Sequence, residues 1–310
     1  MSEADDSTKA IALQLPSPVQ AISPQWRNAN CLQLFVKRDD LIHPIVSGNK
    51  WRKLAPQLAR LSGTRPVHVI SFGGGFSNHL HSLSFCCAHN GFRFTAMVRG
   101  DYRRNLTPML RDCERWGSEI RFLTKAEYAR RTEEGFINSL KSQNPGATLI
   151  PEGGSHPDCL TGMQMLADEL TQQIGQVDAL FVPVASGGTL AGLAAARGQT
   201  KQLIGVAVLK GQQYLESLVE GLLTHNPRKT VNTSYRITHD FHHGGYAKAP
   251  HLLKCFCDEH SEQLNLPLEP IYSGKALFAM RQFVESGYFT PGQKVVFLHT
   301  GGIQGTRPLV

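Results

Sequence analysis

Short runs of β-branched and aromatic residues alternate with longer amphipathic stretches along most of this chain, and this alternation limits the fold more than any other feature. Three of the runs, VHVISF (67–72), ALFVPV (179–184) and KVVFLH (294–299), are apolar almost throughout. Apolar strands that alternate with helices indicate parallel sheets with helices on both faces. The sequence therefore predicts a three-layer α/β fold.

The order of the predicted elements follows from the same pattern. Cys159, Met163, Leu166, Leu170 and Ile174 recur at intervals of three or four, which places them on one face of a helix. The predicted strands are 67–72, 94–98, 120–123, 148–151, 179–184, 203–209 and 294–299, and the predicted helices are 77–89, 107–116, 126–141, 159–174 and 189–197. Ligands of such sheets bind at the carboxyl ends of strands, beside helix N-termini. The turns that follow the strands are therefore the candidate sites.

One of these turns consists of Ala185, Ser186, Gly187, Gly188 and Thr189, between a predicted strand and a predicted helix. Backbone N–H groups of such a turn converge on one point, and the helix dipole adds positive potential there. The two hydroxyl groups add further donors. The turn has no lysine and is too short for a triphosphate-binding loop. We therefore predict that it binds a phosphate group.

The other turns are weaker signals individually. The segment SGNKWRK places Lys50 near a helix start, where solvated lysines are the ordinary explanation. A nucleophilic lysine would need its pKa lowered by burial or by neighbouring cations such as Arg52 and Lys53.

The segment GGGFSNH allows close approach of a ligand to the backbone. However, Asn78 breaks the dinucleotide fingerprint G-x-G-x-x-G, and Ser77 is equally suited to cap a helix. The last predicted strand ends in a similar turn, HTGG.

Taken together, these motifs resemble one family. A lysine in G-N-K-x-R-K-L, the segment S-N-H 27 residues later, and a Ser/Gly/Thr turn are similar to the fold-type II pyridoxal-phosphate enzymes. Within them, the chain is most similar, from about Phe35 to Gly305, to the branch that holds D-cysteine desulfhydrase and 1-aminocyclopropane-1-carboxylate (ACC) deaminase. The resemblance implies pyridoxal 5′-phosphate as cofactor and a homodimer. It also implies a small domain, 51–156, and a large domain, 1–50 plus 157–310, with the cofactor in the cleft between them.

The resemblance also implies roles for individual residues. Lys50 would hold the cofactor aldehyde covalently and later move protons at the substrate carbon. Ser77 would contact the substrate carboxylate, Asn78 would hydrogen-bond the 3-hydroxyl of the cofactor, and the phosphate-binding turn would hold its phosphate. Tyr272, which follows Glu-Pro-Ile, resembles the active-site tyrosine of the family, and Tyr246 resembles a second one.

Two positions discriminate within the branch. ACC deaminases typically carry Glu after the tyrosine and Leu in the H-x-G-G turn, where this chain has Ser273 and Thr300, and the D-cysteine desulfhydrase type has hydroxyl residues at both. A carboxylate beside the pyridine nitrogen makes a stronger electron sink, which opening a cyclopropane needs and loss of hydrosulfide does not. We therefore expect β-elimination from D-cysteine to pyruvate, ammonia and hydrogen sulfide, with ACC deamination as the alternative.

Two segments depart from the family pattern. Residues 73–76 read G-G-G-F rather than the usual G-A-I-Q, and Leu80-His81-Ser82 stands where relatives often carry an arginine. Both flank the expected site of the substrate carboxylate. They leave the cofactor assignment intact and the substrate open, so D-serine dehydration and cysteine synthesis also remain as alternatives.

Two other classes of protein compete with this interpretation. A non-catalytic phosphate- or nucleotide-binding α/β protein would keep the 185–189 turn but would not need Lys50. A metal enzyme could use His79 with His81, or the adjacent pair at 242–243, but no H-E-x-x-H motif or Cys/His cluster accompanies them. Histidines in loops or on half-buried helix faces are the commoner explanation.

Composition restricts the partners and the location. The net charge of +7 suits a phosphate-bearing cofactor or a carboxylate substrate, and the basic residues are scattered without a nucleic-acid motif, so no nucleic-acid partner is expected. The seven cysteines include no C-x-x-C, which favours reduced thiols. No apolar run reaches membrane-spanning length, and the polar start, 1–9, lacks the features of a signal peptide. We therefore expect a cytoplasmic protein without a membrane segment.

Overall fold

The structure, a computed structural model, describes residues 11–61, 66–226 and 231–308. The polar segment 1–9, which contributes to the expected cytoplasmic location, lies outside them. The strands in the described ranges are β1 (Val19–Ile22), β2 (Gln33–Lys37), β3 (His68–Gly74), β4 (Arg93–Arg99), β5 (Glu119–Leu123), β6 (Thr148–Ile150), β7 (Val177–Val184), β8 (Thr200–Ala207), β9 (Ser234–Thr238) and β10 (Lys294–Leu298). The α-helices are α1 (Asn49–Leu61), α2 (Asn78–His89), α3 (Pro108–Arg115), α4 (Lys125–Ala129), α5 (Glu134–Gln143), α6 (Cys159–Ile174), α7 (Gly188–Ala195), α8 (Tyr214–Leu223), α9 (His251–Gln263) and α10 (Ser273–Glu285).

These strands form a larger sheet and a smaller one. The larger sheet has the order β1-β2-β10-β7-β8-β9, and the smaller has the order β5-β4-β3-β6. Every strand pairing between these elements is parallel except that of β1 with β2, at the edge of the larger sheet. The prediction of parallel α/β sheets is confirmed, and the antiparallel edge strand is an addition that the sequence pattern did not reveal.

The apolar runs of the sequence are the central strands of these sheets. All of β7 is buried except Asp178, and β3 is buried from Val69 to Gly73, because helices cover both faces of each sheet. Helix α6 buries Cys159, Met163, Leu166 and Leu170 of the predicted face, and Ile174 at its end is partly buried. The predicted helix over 159–174 is therefore confirmed.

The single helix predicted over 126–141 is wrong, because the chain bends there. α4 is followed by a 3-10 turn, Arg130–Thr132, and by an extended residue before α5 begins. At the bend, the guanidinium of Arg131 lies 4.7 Å from the centroid of the Tyr128 ring and 2.8 Å from the carboxylate of Glu152. These two contacts favour the bent path over a continuous helix.

A buried ion network fixes α1 to the larger sheet. Arg52 donates to both oxygens of Asp39, at 2.7 and 2.8 Å, and to both oxygens of Glu169, at 3.0 and 2.8 Å. Asp39 follows β2, and Glu169 lies on α6, where Lys37 also donates to it at 2.7 Å. Burial by itself lowers the pKa of Arg52, but the two carboxylates outweigh burial and raise it. The first turns of α1 are therefore held by two separate elements.

Helices α1 and α6 also touch through their backbones. A Cβ atom built on Gly162 of α6 would lie 1.7 Å from the carbonyl oxygen of Arg52. No side chain fits into that space, so glycine at this position allows the close helix crossing.

The seven cysteines are unpaired, and five of them are buried. Within residues 11–61, 66–226 and 231–308, no helix has the length and apolar character needed to cross a membrane.

We predict that Gly162→Ala forces α1 away from α6 and lowers the free energy of unfolding by about 2 kcal/mol, since overpacking has costs of this size. The matched control is Gly221→Ala in α8, where no atom lies within 4 Å of the added methyl group. That control should be neutral or stabilising by up to about 1 kcal/mol. Urea denaturation of the cofactor-free proteins measures both, and equal midpoints for the two variants would contradict the close crossing.

Candidate active site

A cleft lies at the carboxyl ends of β7 and β10, where α1, α2 and α7 begin. Parallel α/β sheets place ligands at this position. The residues that line the cleft are Ser47, Asn49, Lys50, Lys53, Asn78, Ser82, Pro183, Val184, Ala185, Ser186, Gly187, Gly188, Thr189, Leu190, Tyr272, Thr300, Gly301, Gly302 and Gln304.

Lys50 lies in the first turn of α1 and reaches this cleft. The preceding turn is pressed against the end of β10: Gly48 has a φ of +63°, and a Cβ there would lie 1.9 Å from the carbonyl oxygen of Thr300. Burial lowers the pKa of Lys50 well below its usual value, and the charge of Lys53 adds to this effect while Glu152 opposes it. The lowered pKa favours the neutral amine, which is the nucleophilic form toward an aldehyde.

The phosphate-binding turn predicted from the sequence forms the start of α7. Gly187 is left-handed, with a φ of 76°, and no side chain caps the helix. The first N–H groups of α7 therefore have no partner within the helix and are available to an anion. Asn49 donates to the hydroxyl of Thr189 at 2.9 Å, and Ser155 donates to the hydroxyl of Ser186 at 2.7 Å. The first bond fixes the turn relative to the start of α1, and the second fixes it relative to the segment that follows β6.

Lys53 supplies a positive charge beside this turn. It is 1% exposed, and its amine lies 3.5 Å from the hydroxyl of Ser155. A Cβ on Gly188 would lie 3.2 Å from the Lys53 side chain, so the two groups are in contact. Burial lowers the pKa of Lys53 to about 8. Lys53 therefore remains a cation at neutral pH, beside the turn that is predicted to bind a phosphate.

Asn78 and Ser77 lie at the start of α2, after β3. The Asn78 amide donates to the carbonyl of Gly302 at 3.2 Å, and its Oδ1 atom is buried without a hydrogen-bond partner. Ser77 caps the helix, because its hydroxyl accepts from the N–H of Leu80 at 3.2 Å. Asn78 therefore has an acceptor atom without a partner. The Ser77 side chain acts as the helix cap for which its position in the sequence is suited.

Tyr272 lies on the far side of the cleft, at the start of α10. Its hydroxyl is 3.3 Å from that of Tyr246, which is 43% exposed at the rim. The buried carboxylate of Glu269 accepts the N–H groups of Ile271, Tyr272 and Ser273 at 2.7, 2.8 and 2.6 Å. Burial raises the pKa of Glu269 to about 7 although these bonds oppose the change. Burial, followed by the nearby Tyr246, likewise raises the pKa of Tyr272 well above its usual value.

The sequence profile of the pyridoxal-phosphate dependent enzymes matches residues 14–301 of the chain. The chain belongs to this family. The predicted family and its cofactor, pyridoxal phosphate, are confirmed, and the match favours an enzyme over a non-catalytic phosphate-binding protein.

Individual relatives and solved structures agree with the family. The chain is 27% identical to the bifunctional D-cysteine desulfhydrase/1-aminocyclopropane-1-carboxylate deaminase of Arabidopsis thaliana, over 94% of this chain and 77% of that protein. It is 28% identical to a putative ACC deaminase of Thermotoga maritima, over 94% of this chain and 95% of that protein.

Two crystal structures share the fold of this pyridoxal-phosphate dependent enzyme. An ACC deaminase homologue matches with a TM-score of 0.78 and 24% identity, covering 95% of this chain and 92% of that one. A hydrogen sulfide-producing enzyme from Fusobacterium nucleatum matches with a TM-score of 0.68 and 12% identity, covering 98% of this chain and all of that one. At these identities the likeness concerns the fold.

The residues of the cleft fit pyridoxal phosphate. A neutral amine at Lys50 suits the aldehyde, and the cation of Lys53 with the uncapped start of α7 suits the phosphate. The unpartnered Oδ1 of Asn78 could accept the ring hydroxyl. A Cβ on Gly188 would lie 2.7 Å from the Ser155 hydroxyl, so glycine at this position lets that hydroxyl approach the start of α7 closely.

Three of the candidate residues predicted from the sequence do not line the cleft. Ser77 caps α2, and Tyr246 lies at the rim. Ser273 is fully buried, and its hydroxyl accepts from the N–H of Glu269 at 2.9 Å and donates to the carbonyl of the same residue at 3.1 Å. Thr300, by contrast, is a lining residue. Lys53 was not predicted as an anion ligand, although its position three residues after Lys50 places it on the same side of α1. It is a further candidate because it lies beside the 185–189 turn.

The histidines considered as metal ligands have other partners. His79 lies 2.8 Å from the hydroxyl of Ser71, and His81 lies 2.9 Å from Asp112, which Arg307 also contacts at 2.7 Å. In the part of the chain that the structure describes, no group of three or more His, Cys, Asp or Glu residues is arranged to hold a metal ion.

We predict that phosphate binding weakens as Lys53 loses its proton. Pyridoxamine 5′-phosphate has no aldehyde, so it binds without a covalent bond to Lys50, and its phosphate group is a dianion above pH 7. Because the pKa of Lys53 is about 8 before the anion binds, and the anion raises it, the affinity of cofactor-free protein should fall between pH 7 and pH 9, roughly tenfold.

Two variants control this titration. Lys53→Met should bind weakly with no pH dependence in this range, and Lys53→Arg should show none because its charge is permanent. Isothermal titration calorimetry measures all three proteins. An affinity of the unaltered protein that is constant or rises with pH would rule out Lys53 as the phosphate cation.

Proposed function

We propose that this enzyme is a deaminating lyase for a small amino acid, with D-cysteine as the preferred substrate. The observation that carries the proposal is the lysine amine of lowered pKa, Lys50, in one cleft with a cationic cup for a phosphate. The name of the Arabidopsis relative includes D-cysteine desulfhydrase activity, and the enzyme from Fusobacterium nucleatum that shares the fold produces hydrogen sulfide. In the proposed reaction, D-cysteine and water give pyruvate, ammonia and hydrogen sulfide.

The cofactor is held, in this proposal, at both of its ends. Lys50 binds the aldehyde carbon, and the 185–189 turn with Lys53 binds the phosphate. Asn78 hydrogen-bonds the ring hydroxyl. Ser77 directly precedes Asn78, and its hydroxyl donates a hydrogen bond to the substrate carboxylate. The hydroxyl proton is available because the Ser77 oxygen is the acceptor in the bond that caps α2.

Proton movements follow from the pKa values of the two sides of the cleft. The bound cofactor supplies an electron sink for the charge that develops at the substrate carbon. Lys50, whose lowered pKa favours the neutral amine, takes the proton from that carbon. Tyr272 keeps its proton because burial raises its pKa, so it can donate to the departing sulfur. Tyr246 provides a second phenol 3.3 Å from the first.

The choice of D-cysteine over ACC rests on two neutral side chains. Neither Thr300 nor Ser273 can act as a carboxylate beside the pyridine nitrogen, so the electron sink is the weaker kind that suffices for a good leaving group. Thr300 lines the cleft, whereas the Ser273 hydroxyl is engaged by the Glu269 backbone. Of the two, Thr300 therefore supports the substrate proposal more directly.

The larger assembly is also part of the proposal. We place the domain boundary so that 51–156, which contains the smaller sheet, forms one domain and 1–50 with 157–310 forms the other. The cleft then lies between them. A homodimer and a cytoplasmic location complete the proposal.

We predict that purified holoenzyme releases pyruvate from D-cysteine with a kcat/KM at least about tenfold above that for L-cysteine, D-serine or ACC, a difference of about 1.4 kcal/mol in transition-state binding. The assay detects pyruvate, or 2-oxobutyrate from ACC, in parallel reactions. Turnover of ACC without turnover of D-cysteine would overturn the argument from Thr300 and Ser273.

Lys50→Ala tests the role of the lysine in the site, and we expect it to abolish turnover of every substrate. The matched variant is Lys125→Ala, which removes an exposed lysine at the start of α4 and should leave turnover unchanged. Turnover by the Lys50 variant at the rate of the unaltered enzyme would reject the role of this amine.

A further inference from the structure

Lys275 is a fully buried lysine on α10 that has no part in the function proposed above. Its amine donates to the carbonyl of Val208, at the end of β8, at 3.0 Å, and to the carbonyl of Gly245 at 2.8 Å. A buried amine is expensive to desolvate, and the cost is tolerated only when its hydrogen bonds are made. The two bonds join three separate parts of the chain at one atom.

The segment that Lys275 holds is the irregular loop between β9 and α9. Four consecutive or near-consecutive residues of this loop have positive φ values: His243 (50°), Gly244 (95°), Gly245 (112°) and Ala247 (57°). Conformations of this kind persist in non-glycine residues only where the surroundings impose them. Apart from the Lys275 bond, the His243 ring packs on Phe278 of α10, with ring centroids 4.8 Å apart. At the start of the loop, the His239 ring lies 2.7 Å from the carboxylate of Glu216 on α8. The loop is therefore held by α8 at its start and by α10 around Gly245.

The same loop carries Tyr246, directly after the carbonyl that accepts from Lys275. Tyr246 reaches Tyr272 with 3.3 Å between the hydroxyl oxygens, and the two rings meet edge to face at 6.2 Å. Tyr272 precedes Lys275 by three residues, and Glu269 fixes it by accepting its N–H. The start of α10 therefore carries the phenol of Tyr272 and, through Lys275, sets the position of the phenol of Tyr246.

We propose that Lys275 is a positioning residue that holds Tyr246 within reach of Tyr272 at the rim of the active site. Its effect on turnover rests on the proposed function, but the contact itself does not. Lysine suits the task because an ammonium has three donors on one atom, which can serve carbonyls from different segments. Burial lowers the pKa of Lys275 to about 8, opposed by the charge of Glu269. A neutral amine still has two N–H groups, so both bonds survive deprotonation.

The test replaces Lys275 with methionine, which keeps the length of the chain and removes both donors. Hydrogen–deuterium exchange of peptides from 239–250 is measured on the cofactor-free protein, and we expect at least about tenfold faster exchange there. Lys254→Met, an exposed position on α9, is the matched control and should leave the exchange unchanged. If that protein does not fold, Lys275→Gln takes its place, and we expect faster exchange there as well, because the shorter side chain holds its amide donors short of the two carbonyls.

A double-mutant cycle then separates positioning from general stability. Lys275→Met should lower kcat for D-cysteine about tenfold with little change in KM and with the cofactor absorbance retained. In a Tyr246→Phe background the same substitution should cause little further loss, because its effect passes through the Tyr246 hydroxyl. Unchanged exchange in 239–250, or losses of kcat that simply multiply, would overturn the proposal. If the unaltered enzyme does not act on D-cysteine, the exchange experiment still decides whether the contact exists, so the two proposals fail separately.

Discussion

The contact between Arg52 and the carboxylates of Asp39 and Glu169 determines where Lys50, the proposed reactive lysine, lies. Both carboxylates belong to the larger-sheet side of the molecule, and Arg52 lies in the first turn of α1, two residues after Lys50. Removing one member of such a buried group leaves an uncompensated charge, at a cost of about 3–5 kcal/mol. The network, with the glycine crossing at α6, therefore makes the first turn of α1 a rigid platform, and each distance across the cleft depends on it.

Two lysines on that platform have different chemistry because they face different neighbours. Burial lowers the pKa of both, but Lys50 also experiences the charge of Lys53 and shifts much further. A spacing of three residues puts both side chains on one side of the helix, so that a neutral amine and a cation lie in one cleft. This arrangement suits a molecule with an aldehyde at one end and a dianion at the other, and it explains why the motif contains two lysines.

The sequence predicted the fold well where local patterns decide it. The apolar strands at β3, β7 and β10 and the glycine-rich start of α7 lie where the sequence indicates, because strand burial and helix starts leave local signatures. The features that it did not reveal are made by distant residues. The bond from Lys275 to Val208 spans 67 positions, and Ser273 turned out to face the Glu269 backbone instead of the cleft. The break between α4 and α5 likewise depends on Arg131 reaching Glu152, a partner 21 residues away.

The central claim is that the amine of Lys50, and no other, meets the cofactor aldehyde. Borohydride reduction of the holoenzyme, followed by proteolysis and mass spectrometry, identifies the lysine that carries the reduced pyridoxyl group. We expect the label on Lys50, with loss of the visible absorbance band. A label on Lys53 or Lys275 instead, or a visible band that borohydride leaves intact, would contradict the account.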